Sequence, residues 1–182
     1  MKSIPRFRRS TVVLFVLVLA LMGRQPVART QEMGHHQAGT PSTQLTLHGI
    51  DGKSISLTPD ELAALPHKTI SVFNSHTKAN EKYSGVALVD LLAKVGAPQG
   101  ENVKGKLFMT AVVAEGTDKY SVVYALAEVD PTIHTGDVIV ADSVDGQKLG
   151  NDGAFKLVST EERRPARWVR NLADITVIEV KP

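Results

Sequence analysis

Hydrophobic and polar positions alternate in several short stretches of this chain, and a period of two residues predicts strands. The clearest stretch is QLTLHGIDGKSISL, residues 44–57, where two alternating runs flank Asp51 and Gly52 and predict a β-hairpin with a tight turn. The closing stretch ADITVIEV, residues 173–180, alternates in the same way. Further strand-like runs are TISVF, KLFMTAVVAE, KYSVVYAL, DVIVADS and the segment after Gly153.

Two short segments carry helix signals. In TPDELAALP, Thr58 can cap a helix, Pro59 suits its first position, and Glu61 completes a capping box. A second helix is predicted from Val86 to Val95, where the apolar residues share one face, after a turn at Tyr83–Val86. With about eight strands, two or three short helices and no long βαβ alternation, the pattern predicts one α+β, mainly β domain.

The first 28 residues differ from the rest of the chain. Four basic residues within the first nine precede an uncharged apolar run, residues 11–22, that is too short to span a bilayer comfortably. This pattern predicts a signal peptide over residues 1–28 and export to the periplasm or the medium; left uncleaved, it would anchor the protein in the membrane. Residues 29–43 lack a hydrophobic period and predict a flexible linker, which leaves residues 44–182 as the domain.

Charge and composition exclude several classes of function. The chain has 21 Lys and Arg against 19 Asp and Glu, but five of the basic residues and none of the acidic ones lie in residues 1–28. The remainder therefore has 16 basic and 19 acidic residues, a net charge of −3, and we expect no binding to nucleic acid. The chain has no cysteine, which excludes disulfides, a lipoprotein anchor and any thiolate ligand.

Short catalytic and cofactor motifs are absent from the sequence. It contains no G-x-S-x-G, no P-loop, no G-x-G-x-x-G and no H-x-x-x-H spacing. The histidines of the predicted domain, His48, His67, His76 and His134, are scattered singly. Candidate functional residues must therefore come from the positions of polar residues relative to the predicted strands.

One candidate region is the polar stretch Asn74, Ser75 and His76, which directly follows the strand-like run TISVF. Segments that follow buried strands are common places for functional groups. A solvated connection between a strand and a helix explains the same residues, and both interpretations stay open at this point.

The second candidate region is EERRPARWVRN, residues 161–171, where four arginines surround Trp168. Arginine binds phosphate through forked hydrogen bonds, and an aromatic ring beside it can pack on a planar ligand. The alternative is that Glu161 and Glu162 pair with these arginines while Trp168 fills the core.

Taken in order, LTPDELAALP, YSGVALVDLLAKVGAP, VIVADSVDGQKL, GAFKLVS and RPARWVRNLADITV resemble the sulfite-oxidase-like molybdopterin-binding domain in its short exported form. The resemblance covers residues 44–180. It implies a mixed, β-rich fold that holds a molybdenum–pterin cofactor, whose metal is bound by the pterin dithiolene and by one cysteine in the loop after the strand matching ISVF. It also makes Arg163, Arg164 and Arg167 candidate phosphate contacts.

In this chain the corresponding loop reads Asn74, Ser75 and His76. Thiolate is the soft ligand that this molybdenum chemistry uses, and neither an amide nor a hydroxyl replaces it well. We therefore expect binding of a pterin-like or other small anionic ligand without standard oxo transfer, so molybdopterin fits the sequence better than molybdenum. One alternative is an active molybdopterin-dependent oxidoreductase whose metal is held by His76, by Asn74 or by no protein ligand; another is a non-catalytic envelope scaffold or partner-binding domain.

Overall fold

The computed structural model describes residues 39–181, so the predicted signal peptide and residues 29–38 of the predicted linker lie outside the described residues. Within residues 39–181 there are ten strands, two α-helices and five short 3-10 segments. The strands are β1 (Leu45–His48), β2 (Ser54–Leu57), β3 (Lys68–Asn74), β4 (Ala79–Ala87), β5 (Thr110–Gly116), β6 (Ser121–Ala125), β7 (Val138–Val144), β8 (Gln147–Lys148), β9 (Lys156–Ser159) and β10 (Leu172–Glu179), and the helices are α1 (Pro59–Ala63) and α2 (Leu88–Lys94).

The first sheet has the strand order β2-β1-β10-β5-β6. β1 and β2 form the predicted hairpin, and Gly52 provides the left-handed conformation in its turn, with φ of +83°. The last strand, β10, lies between β1 and β5 and pairs parallel with β1 and antiparallel with β5. The two ends of the domain are therefore tied into one sheet.

The second sheet contains β3, β4 and β7, and both β8 and β9 pair with β7. The predicted capping box of α1 is present: the Glu61 amide donates to Thr58 Oγ1 at 3.3 Å, and the Thr58 amide donates to the Glu61 carboxylate at 2.7 Å. Helix α2 follows β4 directly and buries Leu88, Leu91 and Leu92.

The first four residues of β7, Val138–Ala141, are buried on both faces of the second sheet. In β7, Val138 and Val140 belong to the main core, which is shared with the first sheet and α2, whereas Ile139 and Ala141 belong to a second cluster. This double burial explains why the strand reads as a continuous apolar run. The second cluster consists of Ile70, Val72, Tyr83, Ile139, Ala141, Leu149, Val158 and Trp168.

The prediction for the segment after Asn74 is wrong in its local structure. Instead of a loop and a turn that launches a helix, Ala79–Ala87 forms β4, which pairs with β3 from Asn74↔Ala79 to Lys68↔Gly85. β4 also pairs with β7, and its residues Tyr83, Gly85 and Val86 are buried. Pairing with two other strands outweighs the polar, turn-like local sequence. The polar stretch is therefore the tip of a hairpin rather than an open connection.

Other differences concern the boundaries of elements. The strand predicted from Lys106 begins at Thr110, because Gly105–Met109 forms a 3-10 segment. The end of the predicted linker contacts the domain: Thr117 Oγ1 donates to the Thr40 carbonyl at 2.6 Å, and the Ala154 amide donates to the Ser42 carbonyl at 3.3 Å. Hydrogen bonds to the domain thus begin before residue 44.

The architecture confirms the predicted α+β, mainly β class. The first sheet is mixed, with one parallel pair among antiparallel ones, and the two α-helices are short. None of the helices within residues 39–181 has the length and apolar character needed to cross a membrane.

We predict that Gly85→Ala strongly destabilises the fold. An added Cβ would lie 2.1 Å from the Val140 carbonyl oxygen, so the backbones of β4 and β7 would have to move apart. We expect urea denaturation to show a loss of about 3 kcal/mol in the free energy of unfolding. Gly146→Ala is the control: its Cβ meets nothing within 4 Å, and its φ of +76° should cost only about 1–2 kcal/mol. Equal losses for the two variants would contradict the prediction.

Candidate functional site

The tip of the β3–β4 hairpin, residues 74–78, is a preorganised turn that we call the hairpin tip. Asn74 is 7% exposed, and its Oδ1 accepts a hydrogen bond from the His76 amide at 3.0 Å. The Asn74 carbonyl accepts from the Lys78 amide at 2.7 Å, and Lys78 closes the turn with φ of +56°. Ser75 is half-buried and the His76 side chain is exposed.

Glu81 on β4 fastens the hairpin tip to the strand below it. Its carboxylate accepts hydrogen bonds from Asn74 Nδ2 at 2.9 Å, Thr77 Oγ1 at 2.7 Å and Tyr83 OH at 2.6 Å. Burial by itself would raise the pKa of Glu81, but these hydrogen bonds and the charge of Lys156 outweigh burial and lower the pKa below its ordinary value. The hairpin tip is thus held by an ionised carboxylate.

Lys156 on β9 is the buried cation of the site, with a side chain only 5% exposed. Its Nζ donates to Asp152 Oδ2 at 2.6 Å and to Tyr83 OH at 2.8 Å. The same atom lies 4.7 Å from the Tyr83 ring centroid and 5.4 Å from that of Trp168. Burial and the acceptor Glu81 raise the pKa of the Tyr83 phenol, which stays protonated. The sequence-based site omits Lys156, although a lysine within the apolar strand KLVS was the available signal.

Trp168 anchors the arginine-rich segment, residues 163–170. Its side chain is 6% exposed and meets Tyr83 edge-on at a centroid distance of 5.6 Å. Trp168 Nε1 donates to the Ser159 carbonyl at 3.0 Å, and Tyr120 OH donates to the Ala166 carbonyl. The tryptophan therefore belongs to the second cluster, as one of the two sequence interpretations predicts.

A groove with a volume of about 810 Å³ is lined by both candidate regions. The hairpin tip contributes residues 74–77, and the arginine-rich segment contributes residues 164–166, Trp168 and Arg170. Asp152 and Lys156 also line it. The fold thus brings together two regions that are far apart in the sequence. Of the predicted site residues, Asn74, Ser75, His76 and Arg164 share this groove.

Arg163 and Arg167, the other predicted phosphate contacts, do not line the groove. Arg163 is exposed. Arg167 Nη2 lies 2.6 Å from Glu162, its Nη1 lies 3.3 Å from Glu128, and its guanidinium lies 4.2 Å from the Tyr124 ring centroid. Burial would lower the pKa of Arg167, but its acidic partners raise it overall. The cavity beside Arg167 measures only about 10 Å³, room for one water at most.

The groove has a surplus of positive charge. Three cations, Lys156, Arg164 and Arg170, and two carboxylates, Asp118 and Asp152, line it and leave a formal charge of +1. Lys156 is paired with Asp152, and Arg170 Nε lies 4.0 Å from the same carboxylate. Within residues 39–181 the Arg164 side chain forms no hydrogen bond or ion pair. Its guanidinium is therefore available to a ligand.

The groove residues do not fit a molybdenum centre of the kind that the family resemblance implies. The chain has no cysteine, and residues 39–181 contain no group of three or more His, Asp or Glu side chains suited to a metal ion. The amide of Asn74 and the hydroxyl of Ser75 are hard donors and poor substitutes for thiolate. Metal binding by His76 stays a prediction.

Comparison with known proteins supports the fold. The structure of the sulfane dehydrogenase SoxCD from Paracoccus pantotrophus matches with a TM-score of 0.59 and 20% sequence identity, covering 75% of this chain and 38% of that chain. This match supports a distant sulfite-oxidase-like fold, and the region of similarity is much less than two thirds of the dehydrogenase chain. No protein-family model matches the sequence, and no curated protein matches it.

Glu81→Gln should destabilise the protein at neutral pH and reduce its sensitivity to acid. Three hydrogen bonds to an ionised carboxylate weaken, so we expect a loss of about 1–3 kcal/mol at pH 7. Because the folded-state pKa lies below the ordinary value of 4.5, this contribution is complete above that value and disappears as the pH falls below it.

Urea denaturation at pH 7 and pH 3 tests this dependence, and the difference between wild type and Glu81→Gln should shrink at pH 3. Glu179→Gln, which removes an exposed carboxylate at the end of β10, is the matched control. A difference of the same size at both pH values would count against a role for the charge of Glu81.

Proposed function

We propose that the groove binds a small anionic ligand with a planar ring, of the pterin type, and that the protein does not catalyse the oxo transfer of sulfite oxidases. The observation that carries the proposal is the placement of Arg164 and Arg170 beside the buried Lys156 and Trp168 in one groove. The resemblance of the sequence to a molybdopterin-binding domain supports the pterin part.

The charges of the groove support an anionic ligand. Arg164 has no partner within residues 39–181, and the nearest carboxylate to Arg170 is 4.0 Å from its Nε, so both guanidinium groups keep donors for a ligand. A guanidinium donates two parallel hydrogen bonds to a carboxylate, sulfonate or phosphate. Because the groove has a formal charge of +1, binding of one negative charge is electrostatically favourable.

The size and apolar residues of the groove support a flat ligand. Its volume of about 810 Å³ lies in the range of about 300–1,000 Å³ that is usual for small-molecule sites. Tyr120, Pro165 and Trp168 provide apolar surface, and Ser75 and Thr77 add hydroxyl groups that can bind the polar edge of a ring. This combination suits a heterocycle that carries an acidic substituent.

The chemistry of the chain supports binding without oxo transfer. That reaction uses a metal held by a protein thiolate in the family that the sequence resembles, and this chain contains no cysteine. A fold shared with a sulfane dehydrogenase is compatible with an enzyme or with a binding protein, because function depends on the site rather than on the fold.

We also propose that the protein is exported and meets its ligand in the periplasm or outside the cell. The basic start of the chain and the apolar run over residues 11–22 support export. The net charge of −3 after residue 28 supports a small-molecule ligand over nucleic acid.

We predict that Arg164→Ala weakens binding of pterin-6-carboxylate about tenfold, the effect of losing one charge-assisted hydrogen bond at an exposed position. Trp168 is the only tryptophan of the chain and lines the groove, so its fluorescence reports binding. Arg163→Ala is the matched control, because this exposed neighbour lies off the groove. The uncharged 6-hydroxymethylpterin should bind both variants equally. Equal losses of pterin-6-carboxylate affinity for the two variants would refute the assignment of Arg164.

Metal and pterin analysis of the purified protein separates the candidate functions. The full chain, expressed with its leader in a molybdenum-replete host, should contain a pterin but far less than one molybdenum per chain. Near-stoichiometric molybdenum and pterin would overturn the proposal in favour of a molybdopterin-dependent oxidoreductase with an unusual ligand such as His76. The absence of both would favour a scaffold or partner-binding domain.

A further inference from the structure

Asp152 supplies the groove with an anion of its own. Its Oδ2 accepts a hydrogen bond from Lys156 Nζ at 2.6 Å, and its Oδ1 lies 4.0 Å from Arg170 Nε. One carboxylate of the protein therefore faces two of the three cations that line the groove. Arg164 is the cation that no carboxylate of residues 39–181 pairs with.

The loop around Asp152 fixes this carboxylate in place. Asp152 ends the 3-10 segment Gly150–Asp152, and Gly153 follows with φ of +86°. The Asp152 carbonyl accepts from the Asn171 amide at 2.6 Å, and a Cβ at Gly153 would lie 2.3 Å from Asn171 Oδ1. If the carboxylate turned away, the buried Lys156 would keep only the Tyr83 phenol as a hydrogen-bond partner. An unpaired buried ammonium group is strongly unfavourable, and this requirement holds the Asp152–Lys156 pair together.

We infer that Asp152 determines the charge of the ligand: it admits singly charged anions and disfavours dianions. This inference rests on the proposed function, since it specifies the ligand of the same groove. A singly charged group can bind Arg164 and Arg170, leave the Asp152–Lys156 pair intact and bring the formal charge of the groove from +1 to zero. A dianion places a second negative charge near Asp152 with no cation to match it, and like charges at close range are repulsive.

Benzenesulfonate and phenyl phosphate test this selection, because both carry a tetrahedral acid on the same aromatic ring. At pH 8 the sulfonate has one negative charge and the phosphate has two, since a phosphate monoester loses its second proton near pH 6. The wild-type protein should bind benzenesulfonate about tenfold more tightly than phenyl phosphate. In Asp152→Asn, phenyl phosphate should gain about tenfold in affinity, whereas benzenesulfonate should change less than about threefold. Calorimetry and Trp168 fluorescence measure both.

Asp118→Asn is the matched control. It raises the formal charge of the groove by the same unit as Asp152→Asn. Asp152, however, is the carboxylate that lies against Lys156 and Arg170, so Asp118→Asn should change the ratio of the two affinities much less. Equal shifts in the two variants would overturn the specific role of Asp152. A wild-type preference for phenyl phosphate would overturn the inference and leave the proposed function standing. This wild-type comparison tests the inference even if Asp152→Asn does not fold. Failure of every protein to bind either probe would count against both.

Discussion

A buried ammonium group must be paired, and the site is arranged around the one at Lys156. Its hydrogen bonds go to Asp152 and to the Tyr83 phenol, and the rings of Tyr83 and Trp168 pack beside it. The phenol in turn donates to Glu81, whose carboxylate also accepts from the side chains of the hairpin tip. A continuous chain of polar contacts therefore runs from the groove carboxylate Asp152 to the hairpin tip, so the geometry of both depends on the buried lysine.

Strand β4 carries the middle of this chain of contacts, and it is the element that local sequence signals describe least well. Neighbouring residues contain the signals for three elements: the hairpin β1–β2, the capping box of α1 and the alternating strand β10. Each of them forms as predicted. The sequence of β4 resembles a polar turn. Its strand conformation comes instead from pairing with β3 on one side and β7 on the other. The need for glycine at position 85 also comes from strand pairing, because an added Cβ would meet the carbonyl of Val140, which is far away in the sequence.

The candidate site could be predicted only where its signals are local in the sequence. The position of the hairpin tip after a buried strand and the clustering of arginines are local features, and they locate two regions of the groove. The choice among the arginines is not local: Arg167 is taken up by Glu162, a sequence neighbour, and by the remote Glu128. The role of Lys156 is not local either, because its hydrogen-bond partner Tyr83 lies on another strand of the same sheet.

The hairpin tip also explains why binding is a better proposal than oxo transfer at this groove. Asn74 lies in the loop where the family resemblance places a metal-binding cysteine, yet both ends of its amide are occupied within the hairpin: Oδ1 accepts from the His76 amide, and Nδ2 donates to Glu81. The amide therefore supports the turn through both of its ends. The hairpin tip contributes hydroxyl groups and one exposed imidazole to the groove. The cations that line the groove come from β9 and the arginine-rich segment. Such a groove suits the anion binding that we propose, which depends on charge and shape rather than on a redox metal.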